Sequence, residues 1–221
     1  MHSTVKNLNS IKNNILEELK KINQLDKIPN IVAISKTFPI DKITPLIEIG
    51  HVHFGENKVQ EALLKWSKIK NQNKNIKLHL VGKLQSNKVK LALELFDYIH
   101  SLDNIKLARK ISELQKKINK RPKLFIQINI GNEDQKSGIK IEELKKFYEF
   151  CTSELNLKII GLMCLPPVSN DPSVYFEKML KLSKSLSLKE LSMGMSSDYI
   201  NALKYNASFI RIGSKIFGER N

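Results

Sequence analysis

The stretch that decides the fold is IVAISKTFPI, residues 31–40. Four apolar or small residues lead through Ser35 to Lys36, and Pro39, which cannot continue a central strand, follows closely. The pattern predicts a short buried strand that ends on a lysine. Lysine is seldom fully buried unless it is paired. Lys36 therefore either marks the surface where the strand stops or carries an amine that takes part in chemistry, and these ten residues leave both interpretations open.

Seven more short apolar runs follow, and helical patterns separate them. The predicted strands are 31–35, 51–54, 77–82, 97–101, 123–130, 158–163, 190–194 and 208–213. The predicted helices between them are 41–49, 57–70, 87–95, 104–118, 141–154, 172–186 and 197–205. Regular alternation of strand and helix indicates an α/β protein with a parallel sheet covered by helices. Eight strands in 221 residues favour a closed (β/α)8 barrel of the TIM type. An open dinucleotide-binding sheet would need G-x-G-x-x-G after its first strand, and ISKTFP contains no glycine.

The chain opens with an extra amphipathic helix, predicted within residues 1–25. Val5, Leu8, Leu19 and Ile22 recur at helical spacing, with lysine and asparagine between them. Because neither a linker nor a low-complexity segment interrupts the pattern, we expect residues 1–221 to form a single domain with this helix packed on the barrel.

Composition and the pattern of cysteines indicate the cellular compartment in which we expect the protein. Hydrophobic residues make up 41% of the chain and charged residues 27%, as in ordinary globular proteins. No apolar run approaches the length of a membrane span. The first residues, MHSTVKNLNS, lack the apolar segment of a secretory signal. Cys151 and Cys164 have no metal-ligand spacing. We therefore expect a cytoplasmic protein with two reduced thiols, no membrane partner and no metal.

The formal net charge of +15 raises nucleic acid as a partner. Only four of the 37 basic residues are arginines, and the lysines are scattered over nearly every predicted helix. A protein that reads nucleic acid more often clusters its basic residues and contacts bases through arginine. We therefore expect no specific nucleic-acid partner.

Polar, glycine-containing segments follow the predicted strands. In a (β/α)8 barrel the ligand site lies at the carboxyl ends of the strands, and phosphate commonly binds after strands 7 and 8. The segments at this rim are Lys36, GEN (55–57), GKLQSNK (82–88), INIGNEDQKSG (128–138), GLMCLPP (161–167), SMGMSSD (192–198) and RIGSKIFGER (211–220). Their concentration at one end of the barrel predicts a ligand site there.

The last two segments together predict a phosphate site. GMSSD is expected to open a helix with Ser196 or Ser197 near its N-cap, where backbone N–H groups suit an anion. Gly213 would allow close backbone approach beside it, and Ser214 would add a hydroxyl. Each segment alone could be no more than a helix cap or a turn. Their coincidence at strands 7 and 8 favours phosphate.

Two cationic side chains are expected at the same mouth. Arg211 lies on the predicted strand 8, and Lys36 lies on strand 1, which is adjacent across the barrel closure. An arginine at this position could instead pair with a carboxylate. An amine, a phosphate cradle and an arginine together suit a cofactor with an aldehyde, a phosphate and a ring nitrogen. That description fits pyridoxal phosphate held as a Schiff base.

The ordered series of motifs resembles the pyridoxal phosphate homeostasis protein family, also called the YggS/PROSC family. The resemblance runs over nearly the whole chain, from AISKTFP to RIGSKIFGER. It includes HFGENKVQE (53–61), HLVGKLQSNK (79–88), INIGNEDQKSG (128–138), GLM (161–163) and SMGMSSD (192–198).

The resemblance implies a barrel like the N-terminal domain of alanine racemase, with pyridoxal 5'-phosphate as cofactor on Lys36. It further implies phosphate contacts at Ser196, Gly213 and Ser214, and it places Arg211 near the pyridine nitrogen. Asn57 would lie close to the cofactor. His79 belongs to a family motif, but the resemblance assigns it no clear role.

The implied function is intracellular homeostasis of pyridoxal phosphate, with no established turnover reaction. Apo-enzymes that use the cofactor are possible partners, and the protein is expected to be a monomer. The alternative is a pyridoxal phosphate-dependent amino-acid racemase. A racemase needs an acid–base group on each face of its substrate, and the sequence offers Lys36 for one face only. A third interpretation, metal hydrolysis, rests on the H-x-H pair of His51 and His53.

Overall fold

The computed structural model describes residues 1–133, 135–168 and 171–219. Asp134 of the INIGNEDQKSG motif and Arg220 of the RIGSKIFGER motif lie outside the described residues. The described ranges form eight strands and nine α-helices.

Eight parallel strands close into a barrel in sequence order, with β1 beside β8. The strands β1 to β8 are Asn30–Ile34, His53–Glu56, Lys77–Leu80, Tyr98–Leu102, Lys123–Ile128, Ile159–Cys164, Glu190–Met195 and Phe209–Ile212. The closing register pairs Val32 with Arg211 and Ala33 with Ile212. The (β/α)8 barrel predicted from the sequence is confirmed, and its closure brings the end of β1 next to the end of β8.

Helices cover the outside of the barrel. The helices α1 to α9 are Ser3–Lys21, Ile40–Glu48, Val59–Gln72, Val89–Leu95, Ile105–Ile118, Leu144–Glu149, Pro172–Ser185, Tyr199–Leu203 and Ser214–Phe217. The first of these is the extra N-terminal helix. It ends before residue 25, because Asn23 adopts a left-handed backbone conformation at φ 52° just after the last turn.

The N-terminal helix docks on the part of the barrel where the sheet closes. Leu8, Ile15 and Leu19 are fully buried along one face of α1. The helix packs against α2, α8 and α9. Asn7 Nδ2 donates a hydrogen bond of 3.0 Å to the carbonyl oxygen of Ile216 in α9. The helix is thus tied to elements from both ends of the chain.

Two apolar regions hold the barrel together. The larger lies between the strands and the surrounding helices and includes the fully buried Trp66 and Phe54. The smaller lies inside the barrel and is formed by Val32, Ile34, Tyr98, Phe125, Met163 and Phe209. Because the interior is packed with side chains, the barrel is not an open pore.

The H-x-H pair was predicted to lie on one strand. This is wrong, because β2 begins at His53 and His51 precedes it. Gly50, at φ 79°, turns the chain at the end of α2, and the His51 N–H donates to the carbonyl oxygen of Leu46 over 2.9 Å. This six-to-one bond is typical of a Schellman ending, so His51 belongs to the end of the preceding helix. Across the described residues, no group of three or more His, Cys, Asp or Glu side chains could hold a metal ion.

The helix predicted over 141–154 is divided into three parts. Ile141–Glu143 is a 3₁₀ turn, α6 follows it, and Phe150–Glu154 is a π-helical turn. The π turn contains one more residue than an α turn, and the Leu155 N–H donates to the carbonyl oxygen of Phe150. This turn includes Cys151, which is fully buried. Hydrophobic periodicity alone does not reveal such an insertion.

Across the described part of the chain, every helix is too short or too polar to span a membrane.

Candidate functional site

A cavity of about 730 Å³ opens at the carboxyl ends of the strands. All six residues that the sequence assigned to cofactor binding lie in its wall. These residues are Lys36, Asn57, Ser196, Arg211, Gly213 and Ser214. The fold therefore brings together segments that follow β1, β2, β7 and β8, and the contacts of these residues with a ligand stay a prediction.

The wall of this cavity is cationic. Four basic side chains line it: Lys36, Lys83, Lys136 and Arg211. No aspartate or glutamate is among the described residues of the wall. Amide and hydroxyl groups supply most of the remaining polar lining. A cavity with this set of groups favours an anionic ligand.

Strand alternation directs Lys36 toward the cavity. Val32 and Ile34 face the barrel interior, and Lys36 follows them at the same spacing of two. The next residue, Thr37, has φ 68°, a conformation that a β-branched side chain adopts only under constraint. Its N–H donates to Glu61 Oε1 over 2.7 Å, which holds this turn in place. The chain thus leaves the barrel immediately after Lys36.

A buried ion pair fixes the backbone just before Lys36. Glu56 is fully buried, and its Oε1 accepts hydrogen bonds from Ser35 Oγ at 2.8 Å, Lys65 Nζ at 3.0 Å and Trp66 Nε1 at 2.9 Å. Lys65 Nζ also donates to the Ser35 carbonyl oxygen over 2.8 Å. Glu56 was predicted to belong to the ligand rim with its GEN neighbours. It faces α3 instead, because alternation along β2 directs it away from the interior.

Replacing Glu56 with glutamine should lower the free energy of unfolding by about 2 kcal/mol, since hydrogen bonds to a charged group contribute about 1.5–3 kcal/mol. The amide keeps the shape of the side chain and removes its charge, which leaves Lys65 with a poorer partner. Urea unfolding measures the change. Glu113→Gln, which disrupts two surface ion pairs on α5, should leave the unfolding midpoint unchanged. An equal loss in both variants would mean that the buried pair has no special role.

Arg211 extends from β8 into the base of the cavity and is only 4% exposed. Its Nη1 donates to Ser192 Oγ over 2.6 Å, and its Nη2 donates to the carbonyl oxygen of Cys164 over 2.8 Å. Burial lowers the pKa of the guanidinium below its ordinary value, but an arginine stays charged in proteins. The side chain is therefore a fixed positive charge at the floor of the cavity.

The two serines of the segment after β7 lie near the N-cap of α8, as predicted. Asp198 holds the N-cap position itself, and Ser196 and Ser197 precede it directly. Asp198 Oδ1 accepts a hydrogen bond of 2.6 Å from the Met195 N–H. This bond closes the turn and leaves both serines in the cavity wall. Gly213 precedes α9 and Ser214 is its first residue, so the Ser214 N–H has no acceptor within its own helix.

The position of Asn57 depends on a glycine. A Cβ atom on Gly82 would collide with the carbonyl group of Asn57. Only glycine allows the loops after β2 and β3 to approach this closely. Asn57 and Gly82 thus form one side of the cavity together.

Sequence reasoning missed a chain of three histidines beneath the cavity. His53 Nδ1 lies 2.9 Å from His79 Nε2, and His79 Nδ1 lies 2.9 Å from His100 Nε2. Burial, the largest cause, lowers the pKa of His53 to about 4 and holds the pKa values of His79 and His100 well below 6.5. The available signal was alternation, since each histidine lies at an inward position of its strand.

Comparison with known proteins places these features in a family. Residues 7–221 match the family model described as alanine racemase, N-terminal domain. The pyridoxal phosphate homeostasis protein of Haemophilus influenzae is 38% identical, over 97% of this chain and 95% of that protein.

Solved structures agree in fold. PipY of Synechococcus elongatus, solved with PLP bound, is 32% identical with a TM-score of 0.78, over 92% of this chain and all of that one. Alanine racemase of Clostridium difficile superposes with a TM-score of 0.77 at 14% identity, over 99% of this chain and 57% of that one, which shows a shared fold. The cationic barrel mouth, the motifs around it and this similarity over nearly the full length lead to one conclusion: the chain belongs to the pyridoxal phosphate homeostasis protein family.

Proposed function

We propose that this protein binds pyridoxal phosphate reversibly at the barrel mouth and holds it for intracellular homeostasis of the cofactor. One observation carries the proposal: Lys36, Arg211 and the segment at Gly213 and Ser214 converge in a cavity whose described wall contains no carboxylate. A cofactor with an aldehyde, a phosphate and a ring nitrogen matches these groups. We further propose that residues 1–221 act as one cofactor-binding domain.

Lys36 is the residue that we expect to bind the cofactor covalently. When bound, pyridoxal phosphate supplies an electrophilic aldehyde carbon and an aromatic ring that withdraws electrons. The Lys36 amine would hold such an aldehyde as a Schiff base, in which the amine nitrogen replaces the aldehyde oxygen and that oxygen leaves as water. The Glu56–Lys65 pair and the Thr37 turn hold the backbone on either side of this amine.

The phosphate would lie against the segments after β7 and β8. Ser196 and Ser214 supply hydroxyl groups, and Gly213 permits the backbone to approach an anion. Asn57 lines the same cavity through the loop after β2 and can donate from its amide.

Arg211 favours binding over turnover. A guanidinium has only donors, stays charged and does not give up its proton to the ring. A ring nitrogen that faces it stays unprotonated, and an unprotonated ring is a poorer electron sink. The cofactor would therefore be held without strong activation of a bound amino acid.

Removing the phosphate from the ligand should weaken binding on the order of 100-fold, because several charge-assisted hydrogen bonds are lost together. The measurement compares dissociation constants of pyridoxal and pyridoxal phosphate by absorbance titration. Ser214→Ala should reduce the difference in affinity between pyridoxal phosphate and pyridoxal. Equal affinities would place the phosphate outside the cavity.

The function itself is tested with the purified protein and pyridoxal phosphate. We expect saturable binding with a visible absorption band, and recovery of activity when the loaded protein is mixed with an apo-enzyme that needs the cofactor. Amino-acid racemisation is measured with the same loaded protein. Rapid racemisation would overturn the holding role in favour of an enzyme, and the absence of binding would overturn the proposal as a whole.

A further inference from the structure

A single file of polar side chains runs along the interior of the barrel, from its amino-terminal end to Arg211. His53 contacts His79, His79 contacts His100, and His100 Nδ1 lies 2.8 Å from Ser192 Oγ. Ser192 Oγ also accepts from Arg211 Nη1 over 2.6 Å. The chain therefore connects the half-buried His53 with the charged floor of the cavity.

Aromatic rings surround this chain. His79 stacks on Tyr98 with ring centroids 4.2 Å apart, and His100 stacks on Phe125 at 4.3 Å. Both histidines and Ser192 are fully buried. In such surroundings an unpaired polar nitrogen is costly. Each histidine nitrogen between His53 Nδ1 and Ser192 accordingly has one partner.

Arg211 sets the direction of the hydrogen bonds. A guanidinium can only donate, so Ser192 Oγ accepts from Arg211, and the serine hydroxyl is left to donate to His100 Nδ1. If His100 Nδ1 were the donor instead, Ser192 Oγ would accept from both His100 and Arg211. Its own proton would then have no acceptor within hydrogen-bonding distance among the described residues.

One direction at Ser192 fixes every tautomer in the chain. If His100 accepts at Nδ1, its proton is on Nε2 and is donated to His79 Nδ1. The proton of His79 is then on Nε2 and is donated to His53 Nδ1. A neutral imidazole has one donor and one acceptor, so none of the three rings can turn independently.

We propose that His53, His79, His100 and Ser192 are positioning residues that hold the Arg211 guanidinium through a hydrogen-bonded chain of fixed direction, in which each histidine carries its proton on Nε2. Their importance for the ligand rests on the proposed function, since Arg211 would face the ring of the bound cofactor. Without the chain, Arg211 keeps one described hydrogen bond, to the Cys164 carbonyl oxygen, and the guanidinium can tilt.

The first test needs no ligand. Protein labelled with ¹⁵N in histidine is examined by NMR at pH 7.5, and two-bond couplings identify which ring nitrogen of each histidine is protonated. We expect His53, His79 and His100 to be neutral with the proton on Nε2. A proton on Nδ1 in His79 or His100 would overturn the proposed direction.

The second test removes the link between the chain and Arg211. Ser192→Ala should release the tautomer of His100 and weaken pyridoxal phosphate binding about 10-fold, with a shift of the visible band. Ser112→Ala is the matched control, because Ser112 is also a buried serine but donates to the Leu155 carbonyl oxygen, away from the barrel interior. Unchanged affinity, band and His100 signal in Ser192→Ala would overturn the positioning role.

The two proposals fail separately. If the wild-type protein does not bind pyridoxal phosphate, the proposed function fails, and the tautomers measured without ligand still decide whether the chain exists. If the ligand binds and the Ser192→Ala protein keeps the affinity, the visible band and the His100 signal of the wild type, the chain has no part in positioning Arg211 and the proposed function stands.

Discussion

Lys36→Ala is expected to abolish covalent attachment of pyridoxal phosphate to this protein. The side chain lies at the inward position after β1, and the turn at Thr37 ends the strand there. Without its amine the aldehyde has no nucleophile at this position. The cofactor could then bind only through the hydrogen bonds of the remaining wall, which are reversible and give no Schiff-base spectrum.

The loss is measured by absorbance and by peptide mass after borohydride reduction. The wild-type protein should retain the reduced cofactor on the peptide that contains Lys36, and the alanine variant should retain none. Lys58→Ala is the control, because Lys58 is exposed at the start of α3 and does not line the cavity. Attachment of the cofactor to another lysine in the Lys36→Ala protein, at wild-type yield, would contradict the assignment.

The protein should lose stability steeply as the pH falls from about 6.5 to about 4. Burial, the largest cause, lowers the pKa values of His51 and His53 from 6.5 to about 4, and those of His79 and His100 lie well below 6.5. The unfolded chain therefore binds protons in this range that the folded protein does not bind. Stability is complete above the unfolded pKa and is lost as the pH falls toward the folded value.

The expected loss is large relative to the stability of an ordinary domain. A pKa near 4 in place of 6.5 costs about 3 kcal/mol for His51 by the time both states are protonated, and less for the more exposed His53, because solvent screens its charge. Whole domains are stable by only about 5–15 kcal/mol. Urea unfolding at closely spaced pH values gives the number of protons taken up on unfolding.

A matched variant distinguishes the proton uptake of the histidines from that of the carboxylates. His51→Gln removes one histidine that lies outside the hydrogen-bonded chain, so the proton uptake between pH 6.5 and 4.5 should fall by about one. A flat stability profile between pH 7 and 5 in the wild-type protein would contradict this account.

The strands were predictable because apolar runs with turn residues between them are a local signal. All eight appear within a few residues of their predicted limits. The predicted site residues share one cavity because parallel strands place their carboxyl ends together. Lys36 and Arg211 line the same cavity only because barrel closure places β1 beside β8, which the count of strands anticipated.

The parts that escaped prediction depend on contacts between distant segments. Serine is a common N-cap, and the sequence does not reveal that Asp198 follows both serines at this position and closes the turn through its hydrogen bond with the Met195 N–H. The position of Glu56 at the end of β2 predicts a rim residue, but its contacts with Lys65 and Trp66 of α3, which direct it away from the rim, are not visible in the sequence. The hydrogen bonds of His53, His79, His100 and Ser192 join four strands. Alternation predicts that these side chains face inward, but it does not predict which of them meet.

The docking of α1 has a consequence for synthesis on the ribosome. Its contact with α9 joins Asn7 and Ile216, 209 positions apart, and β1 pairs with β8 over a similar separation. At about 5–20 residues per second, the first helix waits roughly 10–40 seconds for its partner to emerge. During that interval the apolar face with Leu8, Ile15 and Leu19 lacks its final cover. The nascent chain therefore exposes to chaperones, until α8 and α9 have been synthesised, a hydrophobic surface that the finished barrel conceals.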